Sequence, residues 1–592
     1  MVAGEGAWRA ADRHQRRLPA DVRKRRGVWF TPPELAGPTA ARALAPLDDG
    51  RPLRVCDPAV GAGAFLLAAQ QALTRSAAEL VGVDVDPAAI AIAKTALTGC
   101  DLRVADGLRE LPEESFDAVL TNPPWETLQD GAETKAELRA LRGRFERQGA
   151  GKLYTYRLFV ERAVRLLRPG GRLGMVVPAS LWFDRDAASL RDLLLDECNW
   201  EWLFGFENRA RVFDIDSRYR FGVVIATKGA RTERVRVAFG RTDPAEWSAE
   251  APAHTSYRSC ELRELSPRSG AFVEVESRRD LEILARIQAS GRPLTGPAGA
   301  LRWRQGDYNM TSDRPRFVLR ARAEEQGYRV DEQGVWRAGG RPALLALRQG
   351  AMIHDLDGNA GAHDRGVGHK TRWRRPTGPD ELRPLYLVDA DEWTAGAQAR
   401  GPARIALRAL SNATNARTAI ACLLPDVPCG NSIGVLRTPE DREQPVRELA
   451  ACAAALASLP FDWSLRMRLA GTNLNRFVLE DCVLPRLGEA ARDELARAAL
   501  CLCATSPWTA PLWRAAQAEG WCADAAPATA PQRRRALQTR IDLLVGEAFE
   551  LTQDDVTWIT RGPPFAKGFW RVERDLPELQ RRPHRWLDAL AR

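Results

Sequence analysis

The chain has 592 residues, 45% of them hydrophobic and 28% charged, enough for about three or four domains with sizeable cores. No apolar run reaches bilayer length, and the Arg-rich N-terminus lacks a signal-peptide apolar region, so a membrane span is excluded and the expected address is the cytoplasm. Eleven Cys without a CxxC pair indicate neither a disulfide framework nor a structural zinc site, and the net charge of +9 fits a phosphate-rich partner.

In chain order, residues 1–26 are polar and basic, with Arg16, Arg17, Arg23, Lys24, Arg25 and Arg26. They read as a solvated arm, with phosphate contact as the alternative. Thr31 before Pro32-Pro33 reads as a helix N-cap with proline in the first turn, opening an apolar helix that ends near Leu44. Free amides there, with the Thr31 hydroxyl, suit a carboxylate.

A strand at 53–56 then runs into Asp57-Pro58-Ala59-Val60-Gly61-Ala62-Gly63 and a helix from about Ala64 that begins with Phe65 in its first turn. The spacing Asp-Pro-x-x-Gly-x-Gly is not the dinucleotide fingerprint, but its glycines allow close approach of backbone to a ligand. A second strand (residues 80–85) carries Asp84 at its end, where a carboxylate suits a ribose diol. A third strand (102–105) closes on Asp106-Gly107. Singly, each Asp is more often a loop cap; as successive strand ends of a parallel sheet they converge on one crevice.

The fourth strand, at 116–120, ends in Thr121-Asn122-Pro123-Pro124-Trp125. Two prolines fix φ and lack N–H groups, so the chain continues as neither strand nor helix. The Asn122 side-chain oxygen and the Pro123 carbonyl are left as acceptors beside the flat face of Trp125. That trio suits a planar ring with an exocyclic amino group, such as adenine or cytosine.

The Asp57-to-Gly63 turn followed by Asn122-Pro123-Pro124-Trp125 resembles the amino-methyltransferases that use S-adenosylmethionine (SAM) to methylate adenine N6, cytosine N4 or a protein amide. The resemblance implies a Rossmann-like α/β domain with SAM held by Thr31, Asp57, Pro58, Gly61, Gly63, Phe65, Asp84 and Asp106. It assigns catalysis to Asn122, Pro123, Pro124 and Trp125. An aromatic of loop 207–220 would pack on the extruded base opposite Trp125; Phe213 is the candidate, with Phe206 and Tyr219 as rivals. No metal is implied. Asn at 122 favours adenine, since the cytosine enzymes usually carry Ser there.

The order of SAM turn, catalytic motif and recognition region is the gamma arrangement, and it resembles the methylase part of type IIG restriction–modification enzymes and phage-defence methylases. The implied division is a basic arm (1–26), a methyltransferase domain (27–240), a mixed α+β target-recognition domain (241–483) and a helical C-terminal region (484–592). In the recognition region, Arg404, Arg408 and Arg417 match a family stretch that contacts DNA phosphates, with structural salt bridges as the alternative. Asn473, Asn475 and Arg476 lie in a polar loop suited to groove contact. Trp303, Trp336 and Trp373 have no assigned role, and His354, His363 and His369 lack the spacing of metal ligands. With only about 26 residues before the Thr31 segment, too few for a fused nuclease, the expectation is a stand-alone modification enzyme on double-stranded DNA, or the methylase subunit of a system whose nuclease or other defence subunits are separate chains.

Overall fold

A computed structural model describes residues 31–128, 134–395, 401–413, 415–439, 445–469, 471–561, 569 and 581–590; the basic arm of residues 1–26 lies outside them. The chain divides into two compact units, residues 1–280 and 281–592.

The first unit begins with α1 (Pro33–Leu44), which buries Leu35, Ala36, Thr39, Ala40, Ala43 and Leu44 on one face at helical spacing. Pro32, extended at φ −62° and ψ 150°, occupies the N-cap position and Pro33 opens the first turn. Thr31 is therefore not the N-cap that the sequence suggests; its hydroxyl accepts a hydrogen bond from another strand end instead.

The sheet is built from β1 (Leu53–Asp57), β2 (Ala78–Asp84), β3 (Asp101–Val104), β4 (Phe116–Thr121), β5 (Leu167–Pro178), β6 (Cys198–Glu207), β7 (Arg220–Lys228), β8 (Arg234–Arg241) and β9 (Thr255–Arg258). Their spatial order is 3-2-1-4-5-7-6-8-9. Strands β1 to β5 pair parallel, and β7 inserts antiparallel between β5 and β6. All six residues of β4 are buried, as expected of a central parallel strand covered on both faces. The helices α2 (Ala64–Ala72) and α3 (Pro87–Ala96) are the crossovers after β1 and β2. This is the Rossmann-like fold of SAM-dependent methyltransferases.

Sequence reading ends this domain at 240, whereas the sheet continues through β9 and the unit extends to Asp280. The reason is Trp247, fully buried, whose indole donates to Thr39 Oγ1 at 3.1 Å while the Arg42 guanidinium lies 4.2 Å from its ring. The segment after 240 thus folds back on α1.

The second unit holds a four-stranded antiparallel sheet in the order Arg302–Gln305, Ile433–Arg437, Ala403–Arg408, Ala421–Pro425, and a five-stranded sheet around Tyr386–Asp389. Helix Glu489–Cys503 packs on helix Val446–Leu456 and on strand Ala421–Pro425, so the helical stretch after 484 shares one unit with the β-rich part rather than standing apart. No described helix is long and apolar enough to cross a membrane.

Candidate active site

The strand order reverses between β1 and β4, which places a crevice beyond their carboxyl ends. Asp57 ends β1 on one side and Thr121 ends β4 on the other. The Asp57 carboxyl accepts from the Ala59 amide at 3.1 Å. Burial pushes this carboxyl up to about 7, against the Ala59 amide, which favours its ionised form.

The turn after β1 is shaped by glycine. Gly61 has φ +51° and Gly63 φ +91°, and a Cβ at Gly63 would lie 2.6 Å from Leu97. A Cβ at Gly61 would instead extend into open space, so the backbone there borders a void. Asp84 fixes the turn: its Oδ2 accepts from the Gly61 amide at 2.9 Å and its Oδ1 from the Asp86 amide at 2.9 Å. Burial raises this carboxyl too. Gly107 abuts the buried Pro58, whose carbonyl oxygen would sit 1.9 Å from any Cβ at 107. That approach brings Asp106 to the same loop cluster, where it accepts from the Leu108 amide at 2.9 Å and pairs with Arg109 at 3.2 Å.

These residues fit SAM. A buried carboxyl with no cation within ion-pair distance among the described residues, beside a side-chain-free turn that faces open space, suits an ammonium-bearing ligand. Phe65 does not join them; it is buried in the main core as part of the first turn of α2.

Beyond Thr121, the Asn122 amide donates from Nδ2 to Thr31 Oγ1 at 3.1 Å. This fixes which way the amide faces and links the segment before α1 to the end of β4, a pairing the spacing alone did not reveal. Trp125 is half-buried and packs on Phe213, edge to face at 5.2 Å between centroids, and on Phe221 at 6.0 Å with the planes 29° apart. Phe221 in turn stacks on Phe206 at 5.2 Å.

Phe213 is therefore not across a gap from Trp125. It touches that ring directly and is 2% exposed, so it supports the indole rather than facing a base in this conformation. Asn208, fully buried, holds it there: its Oδ1 accepts from the Phe213 amide at 3.0 Å and its Nδ2 donates to the Phe213 carbonyl at 2.9 Å. Phe206 is buried as well, and of the three aromatics only Tyr219, at 53%, is exposed. Asn208 and Phe221 were missed because each looks like an ordinary loop amide or strand residue until the register is known.

In the second unit, three of the six proposed DNA contacts are spent internally. Arg404 is fully buried between Asp307 at 2.6 Å and Asp426 at 2.5 Å. Arg417 is buried and pairs with Asp355 at 3.6 Å and Asp462 at 3.9 Å. Arg408 donates to the carbonyls of Gly350 at 2.8 Å and Ile353 at 2.5 Å. Arg404 and Arg417 have their charges answered by buried carboxylates, and Arg408 keeps its charge but spends its donors on backbone carbonyls. Asn473, Asn475 and Arg476 are exposed. No group of three or more potential metal ligands occurs among the described residues, and His363 hydrogen-bonds the Gly366 carbonyl at 2.9 Å.

Residues 105–213 match the Eco57I restriction-modification methylase family, and residues 43–141 match the methyltransferase small domain. The type II methyltransferase M.TthHB8I of Thermus thermophilus is 35% identical over 171 residues, 28% of this chain and 38% of that protein. The type II methyltransferase M.XamI of Xanthomonas campestris pv. amaranthicola is 31% identical over 186 residues, 29% of this chain and 34% of that protein. The matched stretch thus spans little more than a third of either relative. Among solved structures, the type IIL restriction-modification enzyme MmeI in complex with DNA aligns over 94% of this chain and 76% of its own, at 11% identity and a TM-score of 0.48. The chain resembles the methylases of type II restriction–modification systems.

Proposed function

We propose that the chain is a site-specific DNA methyltransferase that transfers the methyl group of SAM to adenine N6 in double-stranded DNA, alone or as the modification subunit of a restriction or other phage-defence system. The observation that carries this reading is the Asn122 amide, fixed by Thr31 at the end of β4 beside the Asp57 turn. Asp57, Asp84 and Asp106 would hold the cofactor's amino group, ribose and adenine respectively, with the Gly61 turn against its backbone. Bound there, SAM supplies an electrophilic methyl group.

The protein's own part is to present an amine to it. With Nδ2 committed to Thr31, the Asn122 oxygen is the acceptor for one amino hydrogen, and the Pro123 carbonyl accepts the other. Accepting both draws the nitrogen lone pair out of conjugation with the ring and makes it nucleophilic. Trp125, braced by Phe213 and Phe221, offers the ring a flat face. The target base must leave the duplex to reach this position, at a cost of a few kcal/mol of stacking. In-line transfer then needs positioning rather than a covalent nucleophile.

The test is incubation of the purified chain with methyl-labelled SAM and genomic or plasmid DNA, followed by mass spectrometry of the nucleosides. N6-methyladenine is the expected product. N4-methylcytosine would overturn the base assignment. Unlabelled DNA from a chain that demonstrably binds SAM would overturn the function.

A further inference from the structure

Within residues 281–592, Thr295, Gly296, Pro297, Arg302, Trp303 and Arg476 line an open cleft of about 210 Å³. Trp303 stands on Arg302–Gln305, the outer strand of the four-stranded sheet. Its ring lies against the backbone of Gly434: any Cβ at 434 would fall 1.5 Å from the indole. Only glycine there lets the ring lie down, and the ring is left half-exposed and fixed. Arg302 donates to the Gly296 carbonyl at 2.7 Å, which ties the strand to the turn that closes the cleft. Arg476 is anchored through Nε to Glu480 at 2.8 Å while its side chain remains 63% exposed.

Thr295 supplies the independent observation. It is 2% exposed, and its hydroxyl has no hydrogen-bond partner among the described residues. A buried hydroxyl without a partner is costly and calls for an explanation. Charged residues on an outer strand commonly guard it against pairing with another chain, which accounts for Arg302 and Arg304. Edge protection does not account for an indole fixed on a glycine, nor for a silent hydroxyl in the wall beside it.

We infer that this cleft is a second nucleotide site, distinct from the methyl-transfer crevice, that takes one unstacked nucleotide of a DNA strand. Its base lies against Trp303, an edge of the base hydrogen-bonds Thr295, and its phosphate sits near Arg302 and Arg476. The inference rests on reading the second unit as the DNA-recognising part. It gives the exposed loop around Asn473, Asn475 and Arg476 a neighbour that holds a base by stacking, which is tolerant of sequence.

The test uses the full chain and fluorescence anisotropy with two labelled duplexes, one fully paired and one carrying a single unpaired nucleotide. Wild-type protein should bind the bulged duplex at least about threefold more tightly, the lower end of what one hydrogen bond or stack contributes. Thr295→Val should remove that preference without lowering Tm, because the hydroxyl has no partner to lose. Trp303→Ala should weaken binding of the bulged duplex about tenfold or more; if it fails to fold, Arg476→Gln serves, with a loss shared by both duplexes and a shallower salt dependence. Equal affinity of wild type for the two duplexes, or a Thr295→Val protein that keeps the preference, would overturn the inference. So would saturable binding of dAMP that Thr295→Val abolishes while DNA binding is unchanged, since that marks a free-nucleotide site. Methyl transfer is measured on the same samples: its absence from wild type would sink the proposed activity and leave the anisotropy result standing.

Discussion

In residues 281–592 one deeply buried cluster answers charge with charge. Arg582 donates to both oxygens of Asp542 at 2.7 and 2.8 Å and to Asp355 at 2.5 Å, Arg417 lies between Asp355 and Asp462, and Arg466 donates to Asp462 at 2.6 Å. In residues 1–280 the Asp57 carboxyl is as deeply buried, yet only the Ala59 amide is seen to donate to it and the neighbouring charge is the like charge of Asp84. The first arrangement pairs each carboxylate with a guanidinium. The second has no cation within ion-pair distance among the described residues. Burial of a charge does not by itself mark a functional site; what surrounds the charge has to be read with it.

The largest expected effect tests whether the crevice performs the chemistry. Asn122→Ala removes the acceptor that Thr31 holds in place, and methyl transfer should fall by about 10³-fold or more, the scale at which a preorganised polar group at a reacting centre acts. DNA binding, read by anisotropy, should persist. Retained transfer would remove Asn122 from the mechanism.

Next comes the closed network. Arg582→Ala leaves Asp355 and Asp542 buried with one cation fewer, and chemical denaturation should show a loss of about 3–5 kcal/mol. If stability is unchanged, those aspartates are hydrated and the contrast with Asp57 fails.

Asp57 itself predicts a pH dependence. Its folded-state pKa, about 7, lies above that of a free aspartate, so the empty protein keeps the carboxyl protonated below pH 7 and carries the cost of ionising it above. A bound ammonium favours the ionised form and must displace that proton. Affinity for SAM, followed by calorimetry, should therefore fall about tenfold for each pH unit below 7. Asp57→Asn should weaken binding at pH 8 and flatten the profile. A wild-type profile flat from pH 5 to 8 would mean that Asp57 does not meet the amino group.

Much of the crevice was legible because strand ends announce themselves. Asp57, Asp84 and Asn122 each follow an apolar run and precede a glycine or proline break, and in a parallel sheet such positions must converge. What escaped was whatever depends on a partner distant in sequence. The Thr31–Asn122 hydrogen bond joins residues 91 apart, and the Trp125–Phe213 contact depends on how Asn208 folds its loop. Arg404 and Arg417 were read as phosphate contacts because an arginine sequence carries no sign of burial. Their aspartate partners at 307, 355, 426 and 462 lie far along the chain or unmarked on neighbouring strands.

Thr31 gives the smallest and most discriminating effect. It does not touch the proposed substrate; it acts by orienting Asn122. Thr31→Val keeps the volume and removes the acceptor, so kcat should fall about three- to tenfold, the worth of one ordinary hydrogen bond. A purely structural role for Thr31 would instead lower Tm and leave kcat per folded molecule intact. Thr31→Ser restores the hydroxyl and should recover the rate, which Thr31→Ala should not. If serine fails to rescue while valine preserves Tm, the hydroxyl is not what aims the amide.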